Sequence, residues 1–355
     1  MVFARSLDRP RVRAFYDEVM SLKEELGEKL VVLAHHYQRP EIVEAGDFRG
    51  DSFELSALAA NQEKAEFIIF CGVHFMAESA RIVARDGQRV FHPNLNSGCP
   101  MADMATGAQM KRALTELKEV LPEADSLVPV AYMNTNAAVK ALCGDGGGLV
   151  CTSSNANKAF RWAFEQGRRI LFVPDEHLGR NTGNAMGIPA DEMLLYDPAK
   201  PLGGHDEDAL RDARILLWKG YCHVHTWYRP EHIAEARVDY PGCRIVVHPE
   251  CDENVVGLSD AVGSTSYIVR YVQKAAPGDT IVIGTEVNLT SRLAYEYPEI
   301  NVVPLSRSLC PNMFRISMEK LRDTIHALPN MNEIILEEDV ISGARLAMDR
   351  MLALA

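Results

Sequence analysis

Three cysteines, Cys99, Cys222 and Cys310, are the residues of this sequence best suited to chemistry. Each follows a strand-like apolar run, lies close to a Gly or a Pro, and is far in sequence from the other two. No two of the eight cysteines form the C-x-x-C pair of zinc ribbons and ordinary ferredoxins. The spacing favours a cluster held between separate parts of the chain. A [4Fe-4S] cluster on three thiolates would leave one iron open to act as a Lewis acid.

Other cysteines compete for this role. Cys151 ends an apolar run, and Cys251 follows His248, Pro249 and Glu250, so spacing excludes neither as a ligand. A free cysteine is also often a small buried hydrophobic residue with no ligand. The residues alone therefore leave the ligand set open.

Five residues form a candidate acid–base set: His35, Tyr37, His225, His248 and Glu250. An imidazole titrates near neutral pH and can transfer protons. His35 and Tyr37 are two residues apart, as are His248 and Glu250, which in an extended segment places both side chains of each pair on one side. We expect proton transfer from this set, with a structural ion pair as the alternative role for Glu250.

Hydroxyl groups precede three predicted helices. Ser52 precedes the first, Ser153 and Ser154 the second, and Ser264 and Thr265 the third. Hydroxyls and backbone N–H groups at helix N-termini bind anions, although such residues are more often simple N-caps. These positions are the predicted sites for carboxylate and phosphate groups.

The pattern of elements indicates an α/β protein with parallel sheets, because short β-branched runs alternate with helical patterns. The predicted strands form three sets: residues 29–34, 66–71 and 88–91; residues 126–132, 148–151 and 169–173; and residues 214–218, 244–247, 279–283 and 301–303. The predicted helices are residues 54–65, 108–120, 157–166 and 266–274, followed by two amphipathic helices at 318–326 and 337–354. Ligands bind at the C-terminal edge of such sheets.

Composition narrows the function further. The chain has 355 residues, 47% of them hydrophobic, and a net charge of -12. That charge disfavours general nucleic-acid binding. No apolar stretch approaches the ~18 residues of a membrane span, and the N-terminal residues lack the apolar core of a signal peptide. We therefore expect a cytoplasmic protein without membrane or nucleic-acid partners, in a compartment where thiols stay reduced.

Several motifs, in order and spacing, resemble the quinolinate synthase family over nearly the whole chain. They are Ala34-His35-His36-Tyr37-Gln38, Gly50-Asp51-Ser52, Phe75-Met76-Ala77-Glu78, Gly98-Cys99-Pro100-Met101-Ala102, Tyr132-Met133-Asn134-Thr135, Cys151-Thr152-Ser153-Ser154-Asn155-Ala156, His248-Pro249-Glu250-Cys251, Gly263-Ser264-Thr265-Ser266 and Cys310-Pro311-Asn312-Met313. The resemblance implies an enzyme of NAD biosynthesis that condenses iminoaspartate with dihydroxyacetone phosphate to quinolinate, with loss of phosphate and water. It also implies three similar αβα domains with small parallel sheets around a pseudo-threefold axis, with the active site at the centre.

The resemblance also implies one [4Fe-4S] cluster per chain, with Cys99, Cys222 and Cys310 as its ligands. It places His35 and Tyr37 against the triose phosphate and the forming ring. Tyr132 and Asn134 would contact a carboxylate, and His248 and Glu250 would lie close to the cluster. The predicted domains are residues 1–105, 106–200 and 201–310, with C-terminal helices at 311–355 packing back on them.

Two positions depart from the family pattern. Thr226 and Trp227 follow His225 where an acidic residue is usual, so no carboxylate role is carried over to that position. His36 stands where other small polar residues are common, and it is assigned no role.

Other functions remain open from the residues alone. They are another [4Fe-4S] hydro-lyase, which would use a hydroxy acid and need no phosphate site, a non-catalytic anion-binding α/β protein, and a zinc enzyme of phosphosugar aldol chemistry. The metal that the purified protein contains would distinguish an iron–sulfur enzyme, a zinc enzyme and a binding protein without metal. The expected partners are the two small-molecule substrates, with the enzyme that supplies iminoaspartate as a candidate protein partner.

Overall fold

The computed structural model describes residues 6–121 and 127–354. Residue 126 of a predicted strand and residues 1–5, part of the segment examined for a signal peptide, lie outside the described residues. The predicted α/β class is confirmed, since helices alternate with three small parallel sheets of four, five and four strands. Within the described part of the chain, no helix is long and apolar enough to cross a membrane.

The strands and helices follow one another along the chain with short connections. The strands are β1 Leu30–His35, β2 Phe48–Gly50, β3 Phe67–Cys71, β4 Arg89–Phe91, β5 Leu127–Tyr132, β6 Leu149–Cys151, β7 Arg169–Val173, β8 Met193–Tyr196, β9 Ile215–Trp218, β10 Arg244–Val247, β11 Ala261–Val262, β12 Thr280–Gly284 and β13 Asn301–Pro304. The α-helices are α1 Pro10–Leu26, α2 Pro40–Ala45, α3 Ser52–Ala60, α4 His74–Val83, α5 Pro100–Asp103, α6 Gly107–Val120, α7 Ala137–Asp145, α8 Ala156–Gln166, α9 Glu176–Ala185, α10 Glu207–Asp212, α11 Pro230–Asp239, α12 Glu253–Leu258, α13 Thr265–Gln273, α14 Val287–Glu296, α15 Met318–His326 and α16 Glu338–Leu352.

The three sheets share one connectivity. The first has the order β2-β1-β3-β4, the third β11-β10-β12-β13, and the second β6-β5-β7-β9-β8. In each sheet, the strand that comes first in the sequence (β1, β5 or β10) lies between the second (β2, β6 or β11) and the third (β3, β7 or β12). The third strand is followed in the sheet by β4, β9 or β13. The second sheet adds β8 at its edge. All pairings are parallel, so the C-terminal ends of the strands share one edge in each sheet.

One predicted grouping is wrong. Residues 214–218 were expected to join the third set of strands, but β9 pairs with β7 of the second sheet, with Ile170 opposite Ile215. In the sequence, β9 is separated from its neighbour β7 by α9, β8 and α10. Its apolar residues are buried like those of any inner parallel strand, so they carry no signal of which sheet they join.

The described chain divides into two compact units. One unit contains the first and third sheets and is formed by the described residues up to Gly98, Trp227–His248 and Leu258–Ile335. The other contains the second sheet and is formed by Cys99–Thr226, Pro249–Gly257 and the described residues from Leu336 onward. The predicted boundaries of three domains stay a prediction.

The two C-terminal helices pack on different units. In the first unit, α15 lies against α1, and Arg322 Nη1 forms a 3.0 Å ion pair with Glu18 Oε2. In the second unit, α16 lies against α7. A Cβ added at Gly144 would lie 1.9 Å from the Gly343 carbonyl oxygen, so this helix contact requires a glycine.

Candidate active site

The repeated connectivity places the predicted site residues at equivalent positions. The first strand of each sheet leads into one polar pair, His35 with Tyr37, Tyr132 with Asn134, or His248 with Glu250. The second strand leads into hydroxyl groups at or just before a helix: Ser52 and Thr265 are the first residues of α3 and α13, and Ser153 lies three residues before α8. The strands β4, β9 and β13 lead into Cys99, Cys222 and Cys310, respectively. All these loops follow C-terminal strand ends, where α/β sheets bind ligands.

Burial divides the eight cysteines into two groups. Cys99, Cys222 and Cys310 are partly exposed, whereas the other five are buried: Cys71, Cys143, Cys151, Cys243 and Cys251. Burial raises the pKa of Cys71 and Cys143 to about 12 and that of Cys151 further, and it also raises the pKa of Cys310. Exposure is therefore what separates the two groups, and a metal cannot reach the sulfur of the five buried thiols where they lie. The accessible thiols are the three that the sequence predicted, and this donor set fits an iron–sulfur cluster.

Two of the three predicted ligands lie in neighbouring segments of the second unit. Cys99 immediately precedes α5, and Met104 is the C-cap residue of that helix. Trp218 Nε1 donates a 2.8 Å hydrogen bond to the Met104 carbonyl, and the backbone N–H of Tyr221 lies 3.4 Å from Met104 Sδ. The intervening Gly220 is required, because a Cβ there would lie 2.2 Å from the Pro174 carbonyl oxygen. The α5 segment is thus held against the loop that carries Cys222.

Cys222, His225 and Glu250 form a compact group in the same unit. The Cys222 carbonyl accepts the backbone N–H groups of His225 at 3.1 Å and Thr226 at 3.0 Å, so the chain turns back over Cys222. His225 Nδ1 lies 2.8 Å from Glu250 Oε2, and these side chains are only 2% and 3% exposed. One ligand atom from each of Cys222, His225 and Glu250 lies within 4.8 Å of the other two. A sulfur, nitrogen and oxygen set of this kind can hold a metal ion.

Glu250 also contacts the predicted carboxylate-binding residue Tyr132, whose Oη donates a 2.5 Å hydrogen bond to Glu250 Oε1. Pro249 and Glu250 form a turn rather than an extended segment, so the alternation used to place Glu250 beside His248 does not apply. The turn is fixed by Asn181, whose Nδ2 donates to the carbonyls of Pro249 and Cys251, both at 2.8 Å. Asn134 is half-buried in the loop after Tyr132.

Asp175 is a functional candidate that sequence reasoning missed. It caps α9, accepting the Leu178 N–H at 2.8 Å, and it is fully buried. Burial raises its pKa well above the ordinary value, and the charge of Glu250 adds to this effect. Its position after β7 corresponds to that of Glu286 after β12. The repeated connectivity was therefore the signal that could have identified it.

In the first unit, Tyr37 joins the ends of the first and third sheets. Its Oη lies 2.5 Å from Thr285 Oγ1, and its carbonyl accepts a 3.0 Å hydrogen bond from Asn288 Nδ2. The Tyr37 backbone N–H donates to His35 Nδ1 at 3.2 Å, so the proton of a neutral His35 is on Nε2. His248 is buried at the end of β10, with its N–H bonded to the Gly284 carbonyl. Thr285 was not predicted.

The hydroxyl groups differ in how they are used. Ser264 is an N-cap, accepting the Tyr267 N–H at 3.3 Å. Asp51 caps α3, which leaves the hydroxyl of Ser52 unused by the cap. Ser154 is exposed, whereas Ser153 is half-buried and Thr265 is buried. No residue that the structure describes forms a hydrogen bond with the hydroxyl of Ser52, Ser153 or Thr265.

Glu286 holds the loop of the third predicted ligand. Its Oε1 accepts the Cys310 N–H at 3.3 Å, and its Oε2 accepts the Asn288 N–H at 2.7 Å. Burial raises the pKa of Glu286 to about 8. The loop is also fixed by the hydrogen bond from Val287 N to the Ser308 carbonyl at 2.9 Å.

Comparisons with known proteins agree on one family. Residues 17–353 match the family model described as NadA, quinolinate synthetase A protein. The chain is 46% identical over 340 residues to the quinolinate synthase of Corynebacterium glutamicum, covering 94% of this chain and 86% of that protein. It is 46% identical to the enzyme of Acidobacterium capsulatum, with 95% and 92% coverage. It is 44% identical to that of Halobacterium salinarum, with 95% and 91% coverage.

Proposed function

Because the chain belongs to the quinolinate synthase family, an enzyme family of NAD biosynthesis, we propose that it condenses iminoaspartate with dihydroxyacetone phosphate to quinolinate, releasing phosphate and water. The observation that best supports this reaction is the set of three partly exposed thiols, one after a corresponding strand of each sheet. The reaction belongs in the cytoplasm, where these thiols stay reduced.

One [4Fe-4S] cluster per chain, bound by Cys99, Cys222 and Cys310, is the proposed cofactor. When bound through three thiolates, such a cluster supplies an open iron as a Lewis acid for an oxygen of the substrate. His225 and Glu250 lie beside Cys222 and are the side chains placed to move a proton at this end of the site.

The substrates need hydrogen-bond donors for two carboxylates and a phosphate. The hydroxyls of Ser52, Ser153 and Thr265 are the first candidates, because no described residue uses them. Asn134 adds an amide donor, and the Tyr132 hydroxyl, which now donates to Glu250, can turn to a substrate carboxylate. Ser154 and Ser264 take secondary roles, since the first is exposed and the second caps α13.

Proton transfer on the triose requires groups that hold a proton at a defined atom. A neutral His35 donates from Nε2, because Nδ1 accepts the Tyr37 N–H. The Tyr37 hydroxyl shares a short hydrogen bond with Thr285, and the Tyr37 ring lies edge-on to the His35 ring with their centroids 5.0 Å apart. His248, buried at the end of β10, completes the proposed set.

The test is a set of cysteine variants of the anaerobically reconstituted protein. We expect Cys99→Ala, Cys222→Ala and Cys310→Ala to lose the cluster absorption, the bound iron and quinolinate formation. The matched controls Cys151→Ala and Cys251→Ala remove buried thiols and should keep a loaded cluster. Full iron loading of Cys222→Ala would contradict the ligand assignment.

A zinc enzyme is the second candidate, and the Cys222, His225 and Glu250 group is the observation that favours it, since these donor types also suit Zn²⁺. Metal and sulfide analysis separates the two candidates. Iron with matching sulfide supports the cluster, and zinc without sulfide supports the alternative.

A further inference from the structure

His36, which the sequence left without a role, lies at a junction of the first unit. It directly follows β1, and its N–H donates to the Gly50 carbonyl at 3.1 Å, next to the start of α3. His36 is the first residue of the turn after β1, in which the Gln38 N–H donates to the His35 carbonyl at 2.9 Å. The residue is only 5% exposed.

A buried arginine fixes the proton on this histidine. Arg292 Nη2 lies 2.9 Å from His36 Nδ1. A guanidinium has only donors, so Nδ1 must accept and the ring proton must be on Nε2. Burial holds the pKa of His36 well below 6.5, and the charges of Arg292, His35, Arg49 and Arg270 lower it further. His36 is therefore a neutral ring with a fixed Nε2–H donor, and no described residue accepts that hydrogen bond.

The surroundings of His36 carry more positive than negative charge. Glu296 pairs with both Arg49 at 2.8 Å and Arg292 at 2.9 Å, and Glu54 lies 3.7 Å from Arg270. Three guanidinium groups thus share two carboxylates, and the buried Nε of Arg292 has no partner among the described residues. Arg292 and Glu296 are mostly buried, whereas Arg49 and Arg270 are about half exposed. A partly buried site with surplus positive charge favours an anion.

The same group links the two helices that begin with unused hydroxyls. Ser266 Oγ donates a 2.6 Å hydrogen bond to Glu54 Oε2, which connects the first turn of α13 to the first turn of α3. Thr265 begins α13 and Ser52 begins α3. The end of β1 and these two helix starts therefore meet around the cationic group.

We propose that His36 binds a phosphate oxygen of the triose phosphate through Nε2–H, and that Arg292 holds His36 in the tautomer that can donate. A phosphate monoester carries about -1.5 to -2 charge near neutral pH, so it matches the surplus positive charge better than a single carboxylate. This inference rests on the proposed function, because that reaction supplies the phosphorylated substrate.

Two substitutions of His36 test the roles of its ring nitrogens, Nδ1 and Nε2, one at a time. His36→Asn places an acceptor near Nδ1, which keeps the contact with Arg292 and removes the Nε2 donor. His36→Gln places an amide donor near Nε2 and gives up the Nδ1 acceptor. For cluster-loaded enzyme, we expect His36→Asn to raise the KM for dihydroxyacetone phosphate at least about tenfold, the effect of losing a hydrogen bond to a charged group. The inhibition constant of inorganic phosphate should rise in parallel. His36→Gln should stay within about threefold of wild type, and the KM for iminoaspartate should change little in either variant.

The opposite order, with His36→Gln impaired and His36→Asn normal, would mean that His36 only supports Arg292, and the proposal would be wrong. Equal KM values in both variants and wild type would also overturn it. If the wild-type protein forms no quinolinate from the two substrates, the proposed function fails instead. Calorimetric titration with inorganic phosphate then decides the phosphate site by itself, since His36→Asn should bind more weakly than wild type and equal binding would refute the site.

Discussion

Replacing Glu250 with Gln is the substitution whose outcome the structure defines most closely. The carboxylate accepts two hydrogen bonds, from Tyr132 Oη at 2.5 Å and from His225 Nδ1 at 2.8 Å. In Glu250→Gln the amide oxygen can still accept from Tyr132, and the amide NH₂ can donate to His225 Nδ1 if the imidazole proton moves to Nε2. Both of these hydrogen bonds can therefore be kept, so the fold should be retained.

The side-chain amide introduced by Glu250→Gln cannot exchange a proton at neutral pH. If Glu250 transfers a proton in the reaction, turnover should fall at least about a hundredfold, the usual scale for a lost general acid or base. Glu250→Ala should behave differently, because it removes the acceptor of the hydrogen bonds from the buried Tyr132 hydroxyl and from His225 Nδ1. Each buried hydrogen bond lost in this way costs about 1–3 kcal/mol, so the melting temperature of Glu250→Ala should drop clearly.

The assay measures melting temperature, iron content and quinolinate formation on one anaerobic sample of each variant. A catalytic Glu250 predicts a stable, iron-loaded Glu250→Gln protein that binds its substrates and turns over slowly. A purely structural ion pair predicts reduced stability with near-normal turnover. Near-normal kcat in a fully loaded Glu250→Gln protein would remove Glu250 from the mechanism.

Two further groups of variants test the anion contacts and the pH dependence. Ser52→Ala, Ser153→Ala and Thr265→Val should each lower kcat/KM about 10- to 150-fold without changing the cluster spectrum. The control is Ser342→Ala, which removes an exposed hydroxyl. Wild-type kinetics in all three test variants would place the anion sites elsewhere. Ser264→Ala should instead cost about 1 kcal/mol of stability as a lost N-cap. Burial lowers the pKa of His92 from 6.5 to about 4, so the unfolded chain takes up the proton first and stability should fall by roughly 2–3 kcal/mol as the pH falls from 6.5 to 4. Thermal unfolding between pH 6.5 and 4 should show that stability depends less on pH in His92→Gln than in wild type. The control His326→Gln changes an exposed histidine and should leave the pH dependence of stability as it is in wild type. An unaltered pH dependence in His92→Gln would contradict this account.

Apolar β-branched runs predicted ten of the strands because buried parallel strands have a strong local signal. Three strands were missed: β2, β8 and β11. β2 and β11 are only three and two residues long and are partly exposed, and β8 is half-buried. Such edge strands are held by their neighbours rather than by their own composition. The predicted helix at 54–65 is displaced, because Asp51 caps α3 and starts it at Ser52.

Candidate site residues that lie within short sequence motifs could be predicted from the sequence. Residues that reach the site only through packing between distant segments could not. Spacing left Cys151 and Cys251 open as ligands, and only their complete burial separates them from the partly exposed thiols. The hydrogen bond between Thr285 and Tyr37 and the electrostatic effect of Glu250 on the pKa of Asp175 join residues far apart in the chain. No short motif encodes such contacts.

The corrected position of β9 explains why the cysteines recur once per sheet. With Trp218 in the second sheet, Cys222 follows the strand that corresponds to β4 and β13. The repeats therefore supply equivalent thiols, but their other loops differ. After the third strand of each sheet, the second and third repeats carry the buried carboxyls Asp175 and Glu286, whereas Val73 takes this position in the first. The polar pairs after the first strands differ as well. If the three thiols bind one cluster, as proposed, the equivalent thiols would hold it symmetrically and the unequal loops would distinguish the two ends of an asymmetric substrate.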